Sequence, residues 1–205
     1  NEASEDVPRI LGERFPDAFF FGCSGAGIIG AAREIEQQPA VALTVGHLPG
    51  VETKPFRVIS DELPSPDEPP DAWSKLLGVS SDDKPHFLVL MDPFSMAGEG
   101  LLSGLDYAYP SATKVGGLAS GSGLPGGNAL FLGNDVYRDG AIGIALTGNI
   151  VVETVVAQGC RPIGELKRIT KAERNLLMEL DGERPIDYLK DMFSRLSAED
   201  QSLVG

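Results

Sequence analysis

The residues best placed to do chemistry sit in two glycine-rich stretches, Gly22-Cys23-Ser24-Gly25-Ala26-Gly27 and, far downstream, Gly159-Cys160-Arg161-Pro162. A thiol among free backbone donors can have its pKa lowered and become a nucleophile. It can equally be an inert small residue, and both readings of Cys23 stay open here. Hydrolytic chemistry would want a base beside the nucleophile, for which the chain offers only His47 and His86. His47 closes an expected strand and His86 stands between a proline and an apolar run, so structural or surface roles fit both better. No GxSxG elbow exists, because Gly22-Cys23-Ser24-Gly25 is followed by Ala26.

Gly25-Ala26-Gly27-Ile28-Ile29-Gly30 matches GxGxxG after an expected strand. The dinucleotide reading fails twice. The helix that should follow would have only Ala31 to Gln38 before Pro39, and no acidic residue ends the next strand to hold a ribose. Asp92, Asp106, Asp135 and Asp139 lack metal-ligand spacing, and two distant cysteines make no zinc motif.

The 205 residues are 42% hydrophobic, enough for a buried core in one large domain or two small ones. A net charge of −13 without a cluster of Lys and Arg argues against nucleic acid. The densest basic group, Lys167, Arg168, Lys171 and Arg174, alternates with Glu165 and Glu173 and reads as a solvated helix face. No apolar run approaches the ~20 residues of a membrane-spanning helix. Two cysteines in separate loops suit a reducing compartment. The start at Asn1 suggests a processed or partial chain.

The elements that must position these residues follow from periodicity and punctuation. A helix is expected from Asp6 to Phe15, then strands at Ala18–Phe21, Ala40–Leu48 and Lys54–Ile59. The stretch from Asp61 to Asp71, dense in proline and acid, should be an exposed connector. A short helix Trp73–Leu77 follows, capped by Asp71. Pro85 to Met91 reads as a strand buried on both faces, and Phe94 to Tyr109 as the long helix, with Leu101, Leu102, Leu105 and Tyr109 in phase. Lys114–Ala119 reads as another buried strand.

Short strands are expected near Ala129–Leu132, Gly140–Leu146, Asn149–Ala157 and Ile163–Ile169, with Gly148-Asn149 as a hairpin turn. Thr170 with Glu173 forms a capping box at a helix start, and a last helix spans Ile186–Leu196. The whole reads as mixed α/β, a layered mixed sheet packed with helices.

The glycine loops at 22–27, 116–127 and 159–164 each follow or interrupt an expected strand. If they converge, their N–H groups could wrap a small anionic or zwitterionic ligand, with Arg161 opposite a carboxylate. That makes Gly22, Cys23, Ser24, Gly25, Gly117, Gly159, Cys160 and Arg161 the candidate ligand-binding residues, with no catalytic residue and no cofactor.

Four segments resemble the FIST family in order and spacing: 21–27, Val115-Gly116-Gly117-Leu118-Ala119, Asp139-Gly140-Ala141-Ile142-Gly143, and 157–164. The wording around Leu105 to Pro110 and Gly126 to Phe131 is most similar to cyanobacterial and plant-plastid members. The resemblance implies an N-terminal FIST region over residues 1–170 and the start of a C-terminal FIST region over 171–205, with segments missing at both ends. It implies a sensory domain of signal transduction that binds a small ligand such as an amino acid. Some eukaryotic members join an F-box, and none is visible here. A plastid (stromal or thylakoid-peripheral) or cytoplasmic setting would follow. Two alternatives stand beside the sensor: a scaffolding subunit of a larger, possibly photosynthetic, assembly, and a thiol enzyme using Cys23.

Overall fold

In a computed structural model the described residues are 2–156, 162–173 and 176–203. They form a mixed α/β arrangement in two compact units, which divide between Val155 and Val156.

The first unit opens with helix α1, Glu2–Arg14. Strand β1, Phe21–Cys23, starts where the expected strand ends and takes in two residues of the glycine loop. Next comes a hairpin of β2, Gly27–Gly30, and β3, Arg33–Glu36. Its two-residue turn places Ala31 at φ 49 and Ala32 at φ 57, the left-handed pair that matches strand twist. GxGxxG therefore opens no helix.

Four strands make the main sheet: β4, Val51–Val58; β5, His86–Met91; β6, Lys114–Leu118; and β9, Ala141–Gly148. Their order is β4-β9-β5-β6, antiparallel except for the β5–β6 pair. The parallel pair is joined by helix α3, Gly98–Ala108, as a parallel connection requires. Between β6 and β9 run β7, Leu130–Leu132, and β8, Asp135–Tyr137, which join β1 in a second, antiparallel sheet of order β1-β7-β8.

Central β9 is buried from Ala141 through Leu146. On one face of the sheet Phe56, Phe87, Val89 and Met91 pack against Trp73 and Leu77 of helix α2, Asp71–Leu77, and against Leu101 and Leu105 of α3. The Phe87 ring meets Tyr109 edge-on at 4.9 Å, and the Tyr109 hydroxyl donates to Val79 O at 2.9 Å. On the other face Ile142 packs with Ala119 and Leu130, against which Phe21, Cys23 and Tyr137 lean. Each fully buried side chain of this kind contributes about 1.5–3 kcal/mol.

Several expectations are corrected. Strand β5 alternates, with Phe87, Val89 and Met91 buried and His86, Leu88 and Leu90 half-buried. It is the middle strands of a four-stranded sheet that lose water, and β6 at the edge stays largely exposed. Asp71 lies inside α2, and its N-cap is Pro70 with no side-chain cap bond. Residues 40–48 and 149–156 join no ladder among the described residues, so Gly148-Asn149 turns no hairpin.

The second unit holds β10, Ile169–Glu173, paired antiparallel with β11, Leu176–Leu180, then helices α4, Pro185–Arg195, and α5, Ala198–Leu203. Thr170 caps no helix. Ile169 and Thr170 are β-branched and favour a strand, which pairs with Leu176–Leu180, and the Thr170 hydroxyl accepts from Gly182 N at 3.0 Å. No helix among the described residues is long and apolar enough to cross a membrane.

Candidate functional site

The loop after β1 is a junction between the glycine stretches. Ser24 N donates to Ala129 O at 2.8 Å, and Ala129 N returns a bond to the Ser24 hydroxyl at 2.9 Å. Ser120 N donates to Ser24 O at 3.1 Å, and Ala26 N to the Ser120 hydroxyl at 3.2 Å. A Cβ on Gly121 would stand 2.6 Å from that of Ser24, so the two loops can close together only with glycine there. The loops at 22–27 and 116–127 thus do meet. They meet by bonding to each other, however, and the N–H groups of Ser24 and Ala26 are already taken up internally.

Cys23 sits opposite Leu130 in the ladder, half-buried against the Ala119, Leu130 and Ile142 cluster. Burial pushes its thiol pKa up, which lowers the thiolate fraction that reactivity needs.

A buried polar centre lies beside this junction, at the end of β5. Asp92 and Asn128 are both fully buried. Asp92 Oδ2 accepts from Ser95 N at 2.9 Å, the Ser95 hydroxyl at 2.6 Å and Phe94 N at 3.2 Å. Its Oδ1 accepts from Asn128 Nδ2 at 2.9 Å, while Asn128 Oδ1 accepts from Ser122 N at 2.9 Å. Gly140 N closes the set on the Ser95 hydroxyl at 2.9 Å. Burial alone would raise the Asp92 carboxyl, yet the donors from Ser95, Asn128 and Phe94 together hold it below its usual value. The carboxylate ties the 120–128 loop and the start of β9 to the end of β5. Sequence reasoning weighed Asp92 only as a metal ligand; Asp92-Pro93 with a serine three residues on, after a buried strand, was the available turn signal. No group of three potential metal ligands forms among the described residues.

Gly117 lies elsewhere, in the floor of an apolar groove of about 460 Å³. Val89 and Met91 of β5, Gly98 and Leu102 of α3, and β6 itself form its walls. The groove exists because α3 covers β5 and leaves the edge strand bare, with Leu102 and Leu118 exposed. At Gly116 a Cβ would collide with Val89 O at 1.7 Å, whereas at Gly117 it would meet nothing within 4 Å. Phe87 N donates to Thr113 O and Ala119 N to Met91 O, which fixes the ladder's phase. The backbone groups of Lys114, Gly116 and Leu118 therefore point away from β5, along the free edge. Lys114 is the charged residue of the wall, with Nζ held by Asp106 at 2.8 Å and Tyr109 O at 2.7 Å.

Of the sequence candidates, Gly22, Cys23, Ser24 and Gly25 come together at the junction and Gly117 lines the groove. Gly159, Cys160 and Arg161 lie outside the described residues. His86 serves structure: its Nδ1 accepts from Thr113 N at 3.2 Å.

Comparison with known proteins adds the family. The model of the FIST N domain matches residues 2–183. An uncharacterized protein of Mycobacterium tuberculosis, Rv0628c, is 32% identical over 92% of this chain and 47% of its own length. An uncharacterized protein of Mycobacterium bovis, Mb0898c, is 30% identical over 100% of this chain and 51% of its own. The chain thus spans about half the length of these curated relatives, which are mycobacterial and lend nothing to a cyanobacterial or plastid affinity. No solved structure matches. On the extent of the domain match, this chain belongs to the FIST family, a family of sensory domains of signal transduction.

Proposed function

We propose that this chain is a non-catalytic sensory module that binds a small amino acid-like ligand in the groove over Gly117. The observation that carries the reading is the groove itself. Its volume of about 460 Å³ is in the range that small-molecule sites occupy, and its walls are apolar with few polar groups. An apolar side chain would lie over Gly117, while the outward N–H and C=O groups of Gly116 and Leu118 would meet the ligand's carboxylate and amine. Leucine and phenylalanine fit that description better than a charged amino acid. The Ser24 junction takes a supporting role, since it anchors the chain that leaves β6. Burial of the Cys23 thiol favours packing over the thiol-enzyme alternative. The scaffolding alternative draws on exposed apolar segments away from the groove.

The test is thermal unfolding with millimolar free amino acids. Ligand at about 100 times its Kd adds about 2.7 kcal/mol to the bound fold, so leucine or phenylalanine should raise Tm by several degrees. Leu102→Glu is the decisive variant, because Leu102 stands in the groove wall on α3 and is 44% exposed. It should unfold like the parent without ligand and lose the ligand-induced shift. Absence of any shift in the parent, or an unaltered shift in Leu102→Glu, rejects the groove as the site.

A further inference from the structure

We propose that residues 40–48 and 150–155 are two unpaired β arms, and that they seat the half of a family-length protein lying beyond the stretch matched here. The first arm, Ala40-Val41-Ala42-Leu43-Thr44-Val45-Gly46-His47-Leu48, alternates large apolar and small residues with a period of two, the pattern of a strand with one buried face. The chain runs through it without turn, bend or helix, and among the described residues it joins no ladder. Its large face is bare, with Val41 71%, Leu43 46% and Val45 58% exposed. The second arm, Ile150-Val151-Val152-Glu153-Thr154-Val155, is equally β-prone. It too joins no ladder among the described residues, although the Thr113 hydroxyl donates to Val152 O at 3.4 Å, and Val151 is 83% and Val155 91% exposed.

The two arms leave the sheet at one corner. The first enters β4 through Pro49-Gly50 and the second continues β9 beyond Gly148-Asn149. Those strands are antiparallel neighbours, with Val51 opposite Gly148 and Asn149 N donating to Gly50 O at 2.8 Å. Gly50 at φ 75 and Gly148 at φ 87 end both strands at the same level. Exposed strands are ordinarily guarded by charge, proline or covering structure. Here the first arm carries no charged residue and the second only Glu153, in a chain that is 23% charged. Such segments suit a covered surface and are aggregation-prone if left open.

Length and charge choose the occupant. The relatives keep about half of their length outside the match. A partner segment on the same polypeptide is present at high effective concentration, so modest arms suffice to hold it. A second copy is a poorer fit, since each copy brings a net charge of −13. This inference is independent of the ligand groove and of its thermal-shift test.

Amide hydrogen exchange on the 205-residue chain and on a family-length protein joining it to that other half decides the matter. Amides of 40–48 and 150–155 should exchange freely in the shorter protein and at least about 100-fold more slowly in the longer one. Val41→Asp should lower Tm of the longer protein and leave the shorter one unmoved. Equally fast exchange in both proteins overturns the proposal, as does a Val41→Asp effect that is the same in both. Protection that grows with concentration of the 205-residue chain also overturns it, assigning the arms to a second copy.

Discussion

Four donors converge on the Asp92 carboxylate, two of them from Ser95, and the charge they hold is buried. Asp92→Asn keeps the shape but turns one acceptor into a donor facing other donors, and should cost about 2–3 kcal/mol at neutral pH. Because the folded-state pKa is lowered, this stabilisation is present above the unfolded value near about 3.9 and is lost as pH falls through the folded value. Urea unfolding of parent and variant should therefore show a gap at pH about 7 that shrinks toward pH about 3. A gap constant with pH would mean that the carboxylate's charge is not what the network uses. At this scale the sequence was half legible. The glycines at 22–27 were readable as a loop that lets chains approach closely, because glycine has few other reasons to cluster. Whether its N–H groups were free depended on Ser120 and Ala129, about a hundred residues away, and no local pattern carries that.

Helices α2 and α3 touch where Trp73 lies on Gly104. A Cβ at Gly104 would stand 1.8 Å from the Trp73 ring, and Trp73 is itself buried, so something in the core must move. Gly104→Ala should destabilise by about 1–3 kcal/mol despite the better helix propensity of alanine. A denaturation midpoint equal to or above the parent's would show that Trp73 swings aside freely. The α3 face was legible because Leu101 and Leu105 keep helical spacing and both are buried. The start of β10 was not. Thr170 and Glu173 satisfy a helix-capping pattern locally, but the ladder from Ile169 to Glu173 against Leu176 to Leu180 engages more backbone groups than a cap does. Residues 40–48 show the converse, a strand pattern in the residues that joins no ladder among the described residues. Strand β6 carried a strand signal too, while its place at the edge follows only from sheet order.

Across the molecule, stability is unevenly distributed. The core of the first unit buries Val58, Phe87, Leu101, Leu105 and Ile142 fully, whereas in the second unit no described residue is buried and Leu189 and Phe193 of α4 stay 50% and 42% exposed. Amides of β5 and β9 should therefore exchange at least about 1,000-fold more slowly than those of α4 in the 205-residue chain. Comparable protection in α4 and β9 would refute this ranking. The mixed α/β class was legible from alternating helical and β-rich segments, while the bounds of the two compact units depend on which side chains find a core. The glycine joint at Gly50 and Gly148 has a mechanical consequence. Tension that spreads the two arms would load the β4–β9 ladder at its first rung and unzip it pair by pair. Tension along the strands, pulling one arm against the far end of the neighbouring strand, would load all of the pairs from Val51–Gly148 to Val58–Ala141 at once. The same sheet is thus compliant to a load in one direction and stiff to it in the other.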